Sequence, residues 1–108
     1  MENDNLNFQI KEVKQIKKKS TVPLVLHGGS ANPDEEIAEC VKRGINKINI
    51  SSDIKDALYQ QLRKTLANDA NVREPFELYQ EGIAEMKKII YHKINLFNTA
   101  DKVKYYSL

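Results

Sequence analysis

The chain has 108 residues, room for one small domain. Its 17 Lys and Arg against 15 Asp and Glu leave a formal charge of +2, too balanced for charge to drive binding to nucleic acid or an anionic membrane. A hydrophobic fraction of 41% excludes a disordered tail, no apolar run approaches the roughly 18 residues of a membrane span, and the polar start Met1-Glu2-Asn3-Asp4-Asn5 is not a signal peptide.

Leu6, Ile10, Val13 and Ile16 recur at helical spacing, and Lys17-Lys18-Lys19 closes that helix where cations suit the macrodipole. Val22-Pro23-Leu24-Val25-Leu26-His27 is a short apolar run without alternation, the pattern of a strand buried on both faces. After His27-Gly28-Gly29-Ser30, Asn32 is the expected N-cap of a helix with Pro33 at its first position, Glu35 three residues after the cap, and Ile37, Cys40 and Val41 as its stripe. Gly44 suits the residue that ends it. Cys40, the single cysteine, can form no internal disulfide; it fits a small apolar position in a cytoplasmic protein.

Lys47-Ile48-Asn49-Ile50 is the second strand. Ser51-Ser52-Asp53 caps a helix carrying Ile54, Ala57, Leu58, Leu62 and Leu66, and Asn68 to Asn71 forms a loop. Pro75 opens the last helix, with a stripe of Leu78, Tyr79, Ile83, Met86, Ile89, Ile90, Ile94 and Phe97; residues from about 98 to 108 form a flexible tail. Two strands alternating with helices predict an α/β chain with parallel pairing. A two-stranded parallel sheet is not a fold by itself, so the chain reads as part of something larger.

His27 ends the first strand, where α/β folds gather ligands and catalytic groups; it is either a metal ligand or a hydrogen-bonded structural histidine. Gly28, Gly29 and Ser30 allow close backbone approach to an anion, although such triplets are also ordinary turns. Asn49 is unusual within a run that reads as buried, and an amide there needs a polar partner. Ser51 and Ser52 stand at a helix N-terminus that caps the helix and suits a phosphate.

Pro23-Leu24-Val25-Leu26-His27-Gly28-Gly29-Ser30, the run from Gly44 to Asp53, and Ala84-Glu85-Met86-Lys87 together resemble the last third of the class II ketose-bisphosphate aldolases. The resemblance runs from Pro23 to Phe97, with a looser match over Leu6 to Lys19. It implies the C-terminal βα-βα part of a TIM (β/α)8 barrel, strands 7 and 8, with extra C-terminal helices. By the same resemblance His27 matches the last of three zinc-binding histidines. Gly28, Gly29 and Ser30 match the loop that binds dihydroxyacetone phosphate, and Asn49, Ile50, Ser51 and Ser52 match the second such loop. The implied reaction is zinc-dependent, reversible aldol cleavage of a ketose 1,6-bisphosphate of the fructose or tagatose type. The implied cofactor is Zn2+, with a monovalent cation as a second candidate ion. The implied partners are a phosphorylated sugar and either further copies of the chain or the N-terminal half of the barrel; nucleic acid and membrane are not among them.

Three departures qualify this expectation. Ala31 stands where the family often has Gly, Ser51-Ser52 replaces Asp-Thr or Ala-Thr, and Arg73 is displaced from the family's Asp-Pro-Arg. Two zinc histidines and an acidic proton donor have no counterpart, since the other histidine, His92, falls in the last helix, and Asp34, Asp53 and Asp56 read as caps or surface acids. The chain alone is therefore expected to be inactive. A phosphate-binding module without catalysis, or a structural subunit completing a split barrel, are the alternatives.

Overall fold

The computed structural model describes residues 8–107, so Leu6 of the first helical stripe lies outside the described residues. In chain order the elements are α1 (Phe8–Lys19), β1 (Val25–Leu26), α2 (Asp34–Arg43), β2 (Lys47–Ile48), α3 (Ser52–Asn68) and α4 (Pro75–Leu96), with short 3₁₀ turns at Gly29–Ala31 and Val103–Tyr105. They divide into two units. One holds the residues up to Ile50 and those from Leu96 onward, the other Ser51–Asn95.

In the first unit β1 and β2 pair in parallel, Val25 opposite Lys47 and Leu26 opposite Ile48. α1 packs on α2, and its Val13 joins the buried Cys40, with Leu26 and Ile45 against them. Ile37 is buried on the same helix, as its spacing from Cys40 predicts. Gly44 ends α2 in the left-handed conformation, φ 117°, with its N–H directed at the carbonyls of Cys40 and Val41. The stem of Lys17 lies against Gly44, and its Nζ donates to Asn46 Oδ1 at 2.7 Å. The Lys17–Lys19 run therefore closes a helix, with Lys17 bound to its own fold.

Three expectations for this unit are corrected. The strands are shorter than the apolar runs, and Val25 is 44% exposed rather than buried on both faces, because a strand with one neighbour leaves its flanks open. α2 begins at Asp34, not Pro33: Pro33 has ψ 149°, outside the helical region, and so occupies the cap position. Asn32 does not cap; its side-chain amide donates instead to the Gly28 carbonyl at 3.2 Å. Beyond α4 lies a 3₁₀ turn, Val103–Tyr105, with an exposed Asp101–Lys104 ion pair of 3.0 Å beside it.

In the second unit α3 and α4 run antiparallel, since Asp53 pairs with Lys93 and Leu58 meets Gly82. A methyl added at Gly82 would lie 2.7 Å from Leu58 Cδ1, so the end of the Leu58 side chain packs directly on this glycine. Gln61 Nε2 donates to Glu81 Oε2 at 2.9 Å. Lys93 is buried, and its ammonium sits 2.8 Å from Asp53 Oδ2. Asp53 is therefore more than a helix-start acid: it neutralises a cation taken out of water. The connection is turned by Asp69, whose Oδ1 accepts from the Asn71 N–H at 2.9 Å.

Candidate functional site

The C-terminal ends of β1 and β2 deliver His27 and Asn49 side by side. The ladder continues past the strands: the Asn49 N–H donates to Leu26 O at 3.0 Å, and the Gly29 N–H donates back to Asn49 O at 3.1 Å. These reciprocal bonds lock the glycine turn against the end of β2. Gly28 takes the left-handed conformation, φ 68°, and starts the turn. Gly29 is buried, and an added Cβ would fall 2.6 Å from Ile48 Cγ2 and 3.0 Å from Ile50 Cγ2. Each glycine thus has its own reason: the first a backbone angle, the second a close approach.

Asn49 Nδ2 lies 3.2 Å from His27 Nδ1. The amide and the imidazole are thus within hydrogen-bonding distance, and the tautomer of the ring sets which one donates. His27 itself is solvent-exposed. The partner that the amide of Asn49 requires is thus the imidazole. Ser30 sits within the 3₁₀ turn, half-buried, and Ile50 follows Asn49 against the face of Gly29.

His27, Gly28, Gly29, Ser30, Asn49 and Ile50 therefore gather in the first unit. Ser51 and Ser52 belong to the second, at the start of α3. Ser51 occupies the cap position with no side-chain capping bond, and its carbonyl accepts from the Lys55 N–H at 3.2 Å. The end of this helix presents backbone N–H groups and a positive dipole end, the usual setting for an anion.

Sequence reasoning missed two supports. Asn46 Oδ1 accepts from both Lys17 Nζ and the Leu24 N–H, the latter at 3.0 Å, and so joins the end of α1 to the start of β1. Asn32 braces the glycine turn. An Asn in a loop announces only that some backbone bond is being made, so neither partner was readable.

Among the described residues no cluster of three His, Cys, Asp or Glu could hold a metal ion. A cavity of about 430 Å3 opens in the second unit, lined by Asp53, Asp56, Gln60, Lys64, Glu85 and Ile89 among others. It contains neither a histidine nor a glycine turn.

The family described as "Fructose-bisphosphate aldolase class-II" matches residues 1–102. A 6-phospho-5-dehydro-2-deoxy-D-gluconate aldolase from Shouchella clausii (strain KSM-K16) is 38% identical over 91 residues, 84% of this chain and 31% of that protein. A fructose-bisphosphate aldolase from Geobacillus stearothermophilus is 32% identical over 91 residues, again 84% of this chain and 32% of its own length. The X-ray structure of the YdjI aldolase from Escherichia coli K12 superposes with a TM-score of 0.73 at 29% identity, covering 85% of this chain and 34% of that one. The chain spans about a third of the length of the curated relatives it matches.

Proposed function

The chain belongs to the class-II fructose-bisphosphate aldolase family, and on that premise we propose that it supplies the substrate-phosphate end of a cytoplasmic aldolase barrel, its seventh and eighth βα units. The observation that carries this reading is the bonded cluster at the strand ends: Gly29 pressed on β2, and Asn49 joined to both Gly29 and His27.

The chemistry follows from the relatives' substrates. Fructose bisphosphate and 6-phospho-5-dehydro-2-deoxy-D-gluconate both carry a ketone next to a phosphorylated carbon. Aldol cleavage breaks the carbon–carbon bond one position beyond the ketone. The hydroxyl proton leaves, the aldehyde departs, and the electron pair stays on the keto-phosphate half, giving dihydroxyacetone phosphate after protonation. That half is common to both substrates, and it is the half that this chain would hold. The turn at Gly28, Gly29 and Ser30 would approach the phosphate, with the Gly29 N–H committed to Asn49 O, and the α3 start at Ser51 and Ser52 is a second anion-binding end. The Asn49 amide would lie near the carbon skeleton, within reach of its oxygens.

His27 offers one imidazole, and a catalytic zinc site needs three protein ligands. The described residues do not complete that set, so the chain's own task is binding and orientation. His27 would be one ligand of three in an assembled enzyme, with the other ligands and the acid supplied from outside this sequence. The short ligand set also favours a second reading, a subunit that completes a barrel without performing chemistry itself.

Chemical-shift titration with dihydroxyacetone phosphate tests the assignment. Shifts are expected at residues 28–30 and 49–52; shifts confined to Lys17–Lys19 would refute it. With zinc added, the chain alone should not cleave fructose or tagatose bisphosphate, and turnover that vanishes in His27→Ala would overturn the incomplete-site argument.

A further inference from the structure

We propose that the first unit carries a surface for single-stranded nucleic acid, at the end of the sheet opposite the candidate site. The near-balanced total charge hides how unevenly the charges are placed. No Asp or Glu lies from Val13 to Pro33 or from Cys40 to Ser52. The first stretch holds four Lys, and the second holds Lys42, Arg43 and Lys47.

The fold brings the two stretches together. α1 and α2 both finish at this end, with the stem of Lys17 against Gly44 and its Nζ on Asn46 Oδ1. Lys47 begins β2 directly after the same turn. Lys18, Lys19, Lys42 and Lys47 are all exposed. A helix C-terminus presents only about half a negative charge, so two of them do not offset four ammonium groups. Glu39, the acid nearest to Lys42 in sequence, is taken by Arg43 at 2.9 Å.

The residues after α4 return to this turn and add aromatic rings. A cleft of about 210 Å3 is lined by Asn46 and Lys47 together with Phe97 and Thr99. Beyond it, Tyr105 and Tyr106 are each 72% exposed. The ammonium groups of Lys102 and Lys104 lie 5.7 and 5.5 Å from the centre of the Tyr105 ring, and Tyr106 adds a second ring beside them. Cations answer phosphates, and aromatic faces answer bases. An acidic peptide or an anionic lipid headgroup would use the lysines but has no planar ring to stack. A base must be unpaired to reach a tyrosine face, which selects a single strand. This surface shares no residue with the candidate site.

Fluorescence anisotropy of the full chain with a labelled oligouridylate of about 15 nucleotides tests it. Four phosphates met by Lys18, Lys19, Lys42 and Lys47 predict that affinity falls about 50-fold between about 50 and 200 mM salt. Lys18→Gln with Lys19→Gln should weaken binding about 10-fold or more and halve the slope of that salt dependence. Tyr106→Ala should weaken binding about 10-fold, and Tyr106→Phe should keep it, since stacking needs the ring and not the hydroxyl. Lys87→Gln with Lys88→Gln makes the same charge change on α4 and should cost less than about 3-fold. Circular dichroism checks that each variant keeps its helices, and the salt dependence of the unaltered chain is read without any substitution. Absence of salt-dependent binding would overturn the proposal, as would equal losses in the two glutamine pairs. Full affinity in Tyr106→Ala, or preference for phosphatidylserine vesicles or a polyglutamate peptide over the oligouridylate, would overturn it in favour of a membrane or an acidic protein.

Discussion

Replacing Gly29 by Ala isolates the contact on which the candidate site depends. The new methyl would lie 2.6 Å from Ile48 Cγ2, 3.0 Å from Ile50 Cγ2 and 3.2 Å from Asn49 O. Carbon atoms are comfortable at about 3.5–4.0 Å, so the nearest overlap is about 1 Å. Ile48 is β-branched and stiff at χ1, so the turn must move instead. Overpacking of this kind costs about 1–3 kcal/mol. The shift also pulls the Gly29 N–H from Asn49 O, a bond worth about 0.5–1.5 kcal/mol. The total is about 1.5–4.5 kcal/mol. Gly28→Ala is the internal control: nothing lies within 4 Å of its added Cβ, and only the left-handed backbone is penalised, by about 1 kcal/mol. Urea unfolding followed at the Asn46 and Asn49 amide resonances compares the two variants. If Gly29→Ala costs no more than Gly28→Ala, or leaves the Asn49 amide shift unchanged, the close-approach reasoning is wrong.

Two other perturbations address different parts of the molecule. Asp53→Ala removes the carboxylate 2.8 Å from the buried Lys93 ammonium and should destabilise the α3–α4 pair by about 2–3 kcal/mol, discounted because Asp53 is partly exposed; adding Lys93→Met should recover part of the loss in thermal unfolding, and no recovery would refute the pairing argument. Burial, reinforced by Glu36, pushes the Cys40 thiol above its ordinary value of 9.0, so folding favours the neutral thiol. Its contribution is complete below that value and is lost as pH rises from it toward the raised one, by at most about 1.4 kcal/mol per pH unit. Cys40→Ser should flatten that alkaline decline, and an unchanged slope would assign the decline to other groups.

Much of the first unit was legible because its signals are local. Gly44 announces a left-handed helix end, and Ile37 and Cys40 announce a buried stripe, without reference to anything distant. The exposure of Val25 was not legible: an apolar run states what a strand could bury, not how many neighbours it has. Lys93 reads as a surface cation until its partner, 40 residues away at Asp53, is known. The stripe of α4 is a subtler failure. Leu78, Tyr79, Ile83, Met86, Ile89 and Ile90 read as one apolar face, and only the positions of Gly82 and Lys93 separate the packed face from the open one. At the candidate site, the residue types and their order were readable. The joining of Asn49 to His27 was not, because it depends on strand register, which composition leaves open.

The ladder at the strand ends also makes the two loops a single kinetic object. The amides of Asn46 and Lys47 share the Leu24 carbonyl, Asn49 uses that of Leu26, and Gly29 returns to Asn49. Each of these bonds spans both strands or both turns, so displacing either one opens amides that belong to the other. Their exchange rates should rise and fall together under denaturant, reporting one opening event. A ligand held by either turn would then slow exchange in the other as well, with no change in shape being transmitted.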